Sequence, residues 1–274
     1  MGGFSPPQCC RARSTTSLLS CVKRASGLGR ATAQDIIKAS GYVAILEMNE
    51  ELGEALIKEL GEHKAKFFTT DVSNTESIAE AVKGTLSWVK QTGREIGGVI
   101  AAAGVANPAK IIDRHGEPFD IKGFDSVMNI NVRGSIDLVR QVLPHLSTVE
   151  ATRPDGERGV IVLVSSSATF DGQPGQVAYS ASKGAIASLT LPLTRDLAKY
   201  GIRVVTIAPS SFDSGMTAVM SDKIKGSLTR VMEFPLRAGK PEEFARMVRE
   251  GLENSMLNGV VIRLDGGMRM PSKL

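Results

Sequence analysis

Short apolar runs rich in Val, Ile and Leu recur along this chain, with longer helix-periodic stretches between them. Gly159-Val-Ile-Val-Leu-Val164, with Ser165 after it, is the clearest. Gly98-Val-Ile-Ala-Ala-Ala-Gly104, Gly41-Tyr-Val-Ala-Ile-Leu-Glu47, Lys66 to Thr70, Gly201 to Ser210 and Gly259 to Gly267 follow the same pattern. Runs this short, apolar and β-branched read as buried strands. The stretches between them carry a helical period. From Glu50 to Gly61, Leu52, Ala55, Leu56 and Leu60 share one face. A capping box at Ser73 and Glu76 opens a helix with Ile78, Val82, Leu86 and Val89 inward. From Phe124 to Leu146, the inward set is Val127, Ile130, Ile136, Val139 and Leu143, and Pro241 to Glu253 forms a last helix. Strand and helix alternating from about residue 17 to 264 require an α/β fold: one doubly wound, Rossmann-like parallel sheet of about seven strands, helices on both faces. The 274 residues suit a single domain over 17–268, with 1–16 as an N-terminal extension and 269–274 as a tail.

Composition removes several classes of function. A hydrophobic content of 42% with 23% charged residues is that of an ordinary soluble globular chain. No apolar run reaches the ~20 residues of a membrane span. The net charge of +4 is spread along the chain, which argues for a solvated surface and against nucleic-acid binding. Cys9, Cys10 and Cys21 all lie near the start, so neither a disulfide framework nor a metal cluster is implied, and a reducing compartment fits.

The chemistry is concentrated between Ser166 and Lys183. Tyr179 and Lys183 are four residues apart, one turn apart on one helical face. An ammonium near a phenol favours the phenolate, which makes the phenol usable as a general base. Ser166 sits thirteen residues before the tyrosine, just past the carboxyl end of the Gly159–Ser165 run. Open α/β sheets place their sites at that edge.

Ser166 followed by Tyr179-Ser-Ala-Ser-Lys183 resembles the short-chain dehydrogenase/reductase family. Met128-Asn-Ile-Asn131-Val-Arg-Gly134 matches the family's Asn-x-x-Gly, and Asp71-Val72 its adenine contact. Phe170-Asp-Gly-Gln173, Leu191 to Leu197 and Asn258 to Gly266 are similar to the family's 3-hydroxyacyl-CoA dehydrogenase branch, over about residues 25–270. The resemblance implies NAD-dependent oxidation of the 3-hydroxyl of an acyl-CoA in fatty-acid breakdown, by a homotetramer. It assigns Ser166, Tyr179, Lys183 and Asn131 to catalysis, Asn131 by holding a water for proton relay. It assigns Ser26, Gly27, Leu28, Gly29, Glu47, Asp71, Val72, Ala102, Gly104, Tyr179 and Lys183 to the cofactor. Ser166 and Gln173 would meet the substrate, and no metal is implied. Residues 211–235, with Met216, Met220, Ile224 and Phe234, resemble a substrate lid. Glu47 lies 18 residues past Gly29, near the ~20 expected of an acid that binds the adenine ribose and repels a 2′-phosphate, which favours NAD over NADP.

Three positions depart from the family pattern. Val22-Lys23 stands where a Thr-Gly opens the glycine-rich loop, Ala101 replaces an asparagine, and Ser210 replaces a glycine after Pro209. Two readings of the start stand side by side: Lys23 and Arg24 add phosphate contacts, or residues 1 to about 24 replace the true first strand. The first 34 residues lack any acid and faintly resemble a mitochondrial presequence. The final Ser272-Lys273-Leu274 matches the address read by the peroxisomal import receptor, so the peroxisome is expected ahead of mitochondrion or cytoplasm. Two rival functions remain: a dehydrogenase of a steroid or another secondary alcohol, and a non-catalytic scaffold with a broken cofactor loop. Relatives in an RNA-processing complex give the scaffold a precedent.

Overall fold

The six apolar runs and the serine-containing segment Ser17–Cys21 pair side by side in one sheet of the computed structural model, which describes residues 17–21, 27–213, 226 and 228–270. The strands are β1 (Ser17–Cys21), β2 (Tyr42–Glu47), β3 (Ala65–Thr69), β4 (Ile96–Ala101), β5 (Gly159–Val164), β6 (Ile202–Pro209) and β7 (Val260–Leu264). Their order is β3-β2-β1-β4-β5-β6-β7, and every pairing is parallel. The chain runs outward from β1 to β3, then returns to the middle for β4. That reversal opens a crevice at the carboxyl ends of β1 and β4, where such sheets bind ligands. The serine-containing β1 takes the central place: Leu19 pairs with Ala44 on one side and Val99 on the other.

Side chains alternate across the strands, and each set meets its own helical layer. On one face Ala44, Leu46, Val99, Ile161, Leu163 and Val204 are buried under three helices: α3 (Thr75–Gln91), α5 (Gly134–Leu146) and α6 (Val177–Leu197). On the other face Val43, Ile45, Ile100, Val162, Val205 and Ile207 lie under α1 (Leu28–Lys38), α2 (Glu50–Leu60) and α7 (Pro241–Glu253). α4 (Ile121–Met128) runs into α5 through one π turn at Asn129–Arg133, so the helix expected from Phe124 to Leu146 starts three residues earlier and is interrupted.

The helices seat differently from the sequence expectation at three places. In α2 the buried residues are Gly53, Leu56 and Ile57, while Leu52 and Ala55 face solvent. Gly53 sets that phase, because a Cβ there would strike the Phe67 ring of β3; the missing side chain lets the helix lie on the strand. α3 is capped by Asn74, whose Oδ1 accepts from Ser77 N–H at 2.9 Å, and not by Ser73. Ser73 is already committed, donating its N–H and its hydroxyl to Asp71 Oδ1. In α5 the buried stripe runs through Leu138, Val139, Val142 and Leu146, with Ile136 and Leu143 only half-buried.

The amino end of the sheet is closed by a buried charge with all its donors used. Arg203 of β6 is 6% exposed. Its guanidinium forks onto Glu157 at 3.0 and 3.0 Å and donates to the carbonyls of Gly251, Leu252 and Leu257. A buried ion is tolerable only when paired and hydrogen-bonded in this way. The carboxyl end is left open for chemistry. No helix among the described residues is long and apolar enough to cross a membrane.

Candidate active site

Four loops converge at the carboxyl edge, and α6 supplies the reactive pair. Tyr179 and Lys183 lie one turn apart on α6, as their spacing requires. Lys183 is 4% exposed, and its ammonium donates to the carbonyl of Val164, the last residue of β5, at 2.8 Å. Ser165 draws the helix onto the strand by donating its hydroxyl to Lys183 O at 2.8 Å. Ser166, next in the chain, starts a 3₁₀ turn and accepts from Ala168 N–H at 3.2 Å. The Ser166 hydroxyl also hydrogen-bonds the Tyr179 phenol.

The electrostatics differ from the expectation of a phenol activated by its lysine. Burial pushes the Tyr179 pKa above its ordinary value, and the Ser166 hydrogen bond only partly opposes this. The Lys183 ammonium points at Val164 O and lies 5.9 Å from the centre of the tyrosine ring. Desolvation lowers the Lys183 pKa from 10.5 to about 8. A shift of that size is worth roughly 3 kcal/mol against the charged form. The neutral phenol and an ammonium near the edge of its titration range are both held ready for a proton to move.

Asn131 is fully buried in the π turn. Its Oδ1 accepts from Val105 N–H at 2.8 Å, while Nδ2 donates to Val105 O and to Ser182 Oγ, each at 2.9 Å. The residue therefore clamps the loop after β4 against α6. Gly104 lies in that loop, and a Cβ there would meet Lys183 Nζ at 3.2 Å and Asn131 Oδ1 at 3.5 Å. A side chain there would crowd the ammonium, which would have to shift by a few tenths of an ångström. Gly134, at the end of the π turn, approaches Val72 O in the same way: a Cβ would sit 2.5 Å from that carbonyl.

The remaining expected residues lie along the same edge. Glu47 ends β2, is 4% exposed, and its Oε1 accepts the N–H groups of Met48 and Asn49. Asp71 and Val72 follow β3, with Asp71 turned onto Ser73 and Val72 buried. Ala102 is half-buried beyond β4, whereas Ala101 is a strand residue within the apolar core, paired with Cys21 and Leu163. Gln173 sits in the loop between Ser166 and Tyr179. Ser26, Lys23, Arg24, residues 1–16, most of 211–225 and the Ser272–Leu274 tripeptide lie outside the described residues. Sequence reasoning missed Ser165 and Ser182. Nothing in the run Ser165-Ser-Ser167 marks which hydroxyl faces the helix backbone.

The edge fits a dinucleotide cofactor. Gly27 precedes α1 with φ of 65°, a conformation that favours glycine, and no side chain caps the helix. Gly27, Leu28 and Gly29 thus leave a helix N-terminus suited to a pyrophosphate. Among the described residues, several buried side-chain polar atoms lack a hydrogen-bond partner, and three of them belong to this region: Gln173 Nε2, Ser180 Oγ beside Tyr179, and Ser210 Oγ just past β6. A separate hollow of about 380 Å³ opens beside Gly27, Arg30 and Gln34 and reaches the start of α7, away from Tyr179 and Lys183.

Comparisons with known proteins agree with this geometry. Residues 22–225 match the family model described as short chain dehydrogenase. The 3-hydroxyacyl-CoA dehydrogenase type-2 of Drosophila melanogaster is 38% identical over 247 residues, covering 90% of this chain and 94% of its own. The crystal structure of 3-hydroxyacyl-CoA dehydrogenase type-2 from Mycobacterium avium superposes with a TM-score of 0.87 at 32% identity, covering 96% of this chain and 99% of that one. The 3-ketoacyl-(acyl-carrier-protein) reductase of Brucella melitensis, complexed with NADH, shares the fold at a TM-score of 0.78 and 24% identity over 93% of this chain and 98% of its own. The parallel sheet, the Ser166, Tyr179 and Lys183 cluster and these matches together make this chain a member of the short-chain dehydrogenase/reductase family of nicotinamide-dependent oxidoreductases.

Proposed function

We propose that this chain interconverts a 3-hydroxyacyl-CoA and a 3-oxoacyl-CoA, with NAD as the cofactor. The carrying observation is the cluster of Ser166, Tyr179 and Lys183 beside Gly104 at the open edge of the sheet, in a chain resembling enzymes of that name. The cofactor, when bound, supplies the nicotinamide that accepts the hydride. Gly27, Leu28 and Gly29 would hold its pyrophosphate, and Asp71 and Val72 its adenine. Glu47 supports NAD over NADP, because a nearly buried carboxylate at the end of β2 repels a 2′-phosphate.

Each residue has a separate task in alcohol oxidation. Ser166 donates to the substrate oxygen and fixes its position. Tyr179 accepts the hydroxyl proton, and its raised pKa makes the phenolate a strong base once formed. Lys183 supplies the positive charge that steadies that phenolate, and it would also bind the nicotinamide ribose. Asn131 keeps the loop after β4 against Lys183, and a water at this wall would carry the proton outward. Gln173 Nε2, a buried donor without a protein partner, would meet the thioester carbonyl. The scaffold reading loses support from this geometry, since β1 holds the sheet centre and the four expected catalytic side chains lie together at its open edge.

The direct test is Tyr179→Phe. Turnover of acetoacetyl-CoA should fall by at least about a thousandfold, the scale of a lost general acid–base. NADH should bind both proteins equally, and NADPH more weakly. Retention of a tenth of the activity would remove Tyr179 from the mechanism, and equal affinity for NADPH would remove the role of Glu47.

Lys183 makes a second prediction, read in the cofactor-free protein. Its folded pKa, about 8, lies below the unfolded value near 10.5. Between those values the unfolded chain binds more protons, so the burial penalty is full below pH 8 and fades as pH rises towards 10.5. The thermal midpoint of wild type should therefore climb relative to Lys183→Met across that window. A constant difference would show that the ammonium is not desolvated.

We further propose a peroxisomal address, supported by Ser272-Lys273-Leu274. A fluorescent fusion ending in these residues should collect in peroxisomes, and deleting Leu274 should disperse it. Mitochondrial or cytoplasmic signal from the intact fusion would contradict the proposal.

A further inference from the structure

The loop that carries Gln173 is tied to the far edge of the sheet by one arginine. Arg263 lies on β7, the edge strand, and its side chain is 21% exposed. Its Nη2 donates to Asp171 Oδ2 at 2.5 Å and to Met268 O at 3.0 Å. Nε donates to Asp265 Oδ2 at 2.5 Å, and the guanidinium stacks 4.8 Å from the centre of the Phe170 ring. Phe170 and Asp171 belong to the segment between Ser166 and Tyr179, two residues before Gln173. Both partners are shifted in the direction of a firm pair: the Arg263 guanidinium holds Asp171 below the usual carboxylate range, and Asp171 raises Arg263.

The same turn receives the end of the 211–235 segment. Gly266 O accepts the N–H groups of Glu233 and Phe234, each at 3.2 Å, and Ser210 N–H donates to Leu264 O at 3.1 Å. One contiguous network therefore joins the Phe170–Gln173 loop to the chain that leaves and re-enters the sheet around the expected lid. We propose that Arg263, through Asp171 and the Asp265-Gly266 turn, is a positioning residue that locks the Gln173 loop and the Glu233-Phe234 segment into one substrate-binding frame. This rests on reading that loop as the acyl-CoA contact. Arg263 touches neither Tyr179 nor Lys183 in any hydrogen bond, so it acts on where substrate sits and not on proton transfer.

The test compares Arg263→Gln, Asp171→Asn and the double variant in the full chain. The KM for acetoacetyl-CoA should rise about tenfold in each single variant, with kcat within about twofold and NADH affinity unchanged. The double variant should be no worse than Arg263→Gln alone, because each single change already removes the link between Asp171 and Arg263. Asp171→Glu, which keeps a carboxylate, should recover most of the loss. Hydrogen exchange gives a readout that needs no substrate: residues 170–176 and 231–234 should lose protection together in Arg263→Gln. Unchanged KM, additive effects, or faster exchange in only one of the two segments would overturn the proposal. If Arg263→Gln does not fold, Asp171→Asn carries the same test on a milder change. Failure of wild type to turn over any acyl-CoA would remove the substrate reading, while the exchange experiment would still decide whether the latch exists.

Discussion

The Lys183 ammonium, buried against the Val164 carbonyl, is the constraint around which the rest of the site is arranged. An isolated cation cannot be held in an apolar sheet without a partner. The partner here is the last carbonyl of β5, and Ser165 fixes the helix so that the ammonium reaches it. This places a cation directly below the edge where a substrate hydroxyl and a cofactor ribose would meet. The lowered pKa of Lys183 and the raised pKa of Tyr179 have the same cause, removal from water. A ligand that brings oxygen atoms to this edge would add hydrogen-bond partners to those that Val164 and Ser166 already supply.

Close approaches at two points involve glycines of the site. Gly104 passes beside Lys183 and Asn131, and Gly134 beside Val72. Asn131 connects the two, since it sits in the π turn that precedes Gly134 and hydrogen-bonds the residue after Gly104. The π turn brings a fully buried amide inward at this point, and such turns are often found at functional sites. Stability is handled at the opposite end, where Arg203 joins β6 to Glu157 and to the end of α7. The two ends of the sheet thus serve different purposes.

Much of this was legible in the chain itself, because it is written in local periods. The strands declared themselves by short β-branched runs, and Tyr179 and Lys183 by a one-turn spacing. What was not legible depends on contacts between distant residues. The face of α2 is set by Gly53 against Phe67, which no window of residues 50–61 contains. The cap of α3 falls on Asn74 because Asp71 has taken Ser73. The π turn leaves no mark in the apolar pattern. The Asp171 and Arg263 pair spans 92 residues, a separation that no local period registers. Ser17 and Ser20 are poor residues for a central strand by local preference, yet pairing on both sides outweighs that preference.

In the proposed reaction this site removes a hydride from C3 of an acyl-CoA while Tyr179 takes the hydroxyl proton. The most direct measurement follows a 3-hydroxyacyl-CoA carrying deuterium at C3 in the presence of NAD and the full chain. The deuterium should appear on the reduced nicotinamide, with a 3-oxoacyl-CoA formed in equal amount. Deuterium retained in the acyl-CoA or released to water, from protein that binds NADH, would contradict the proposed reaction.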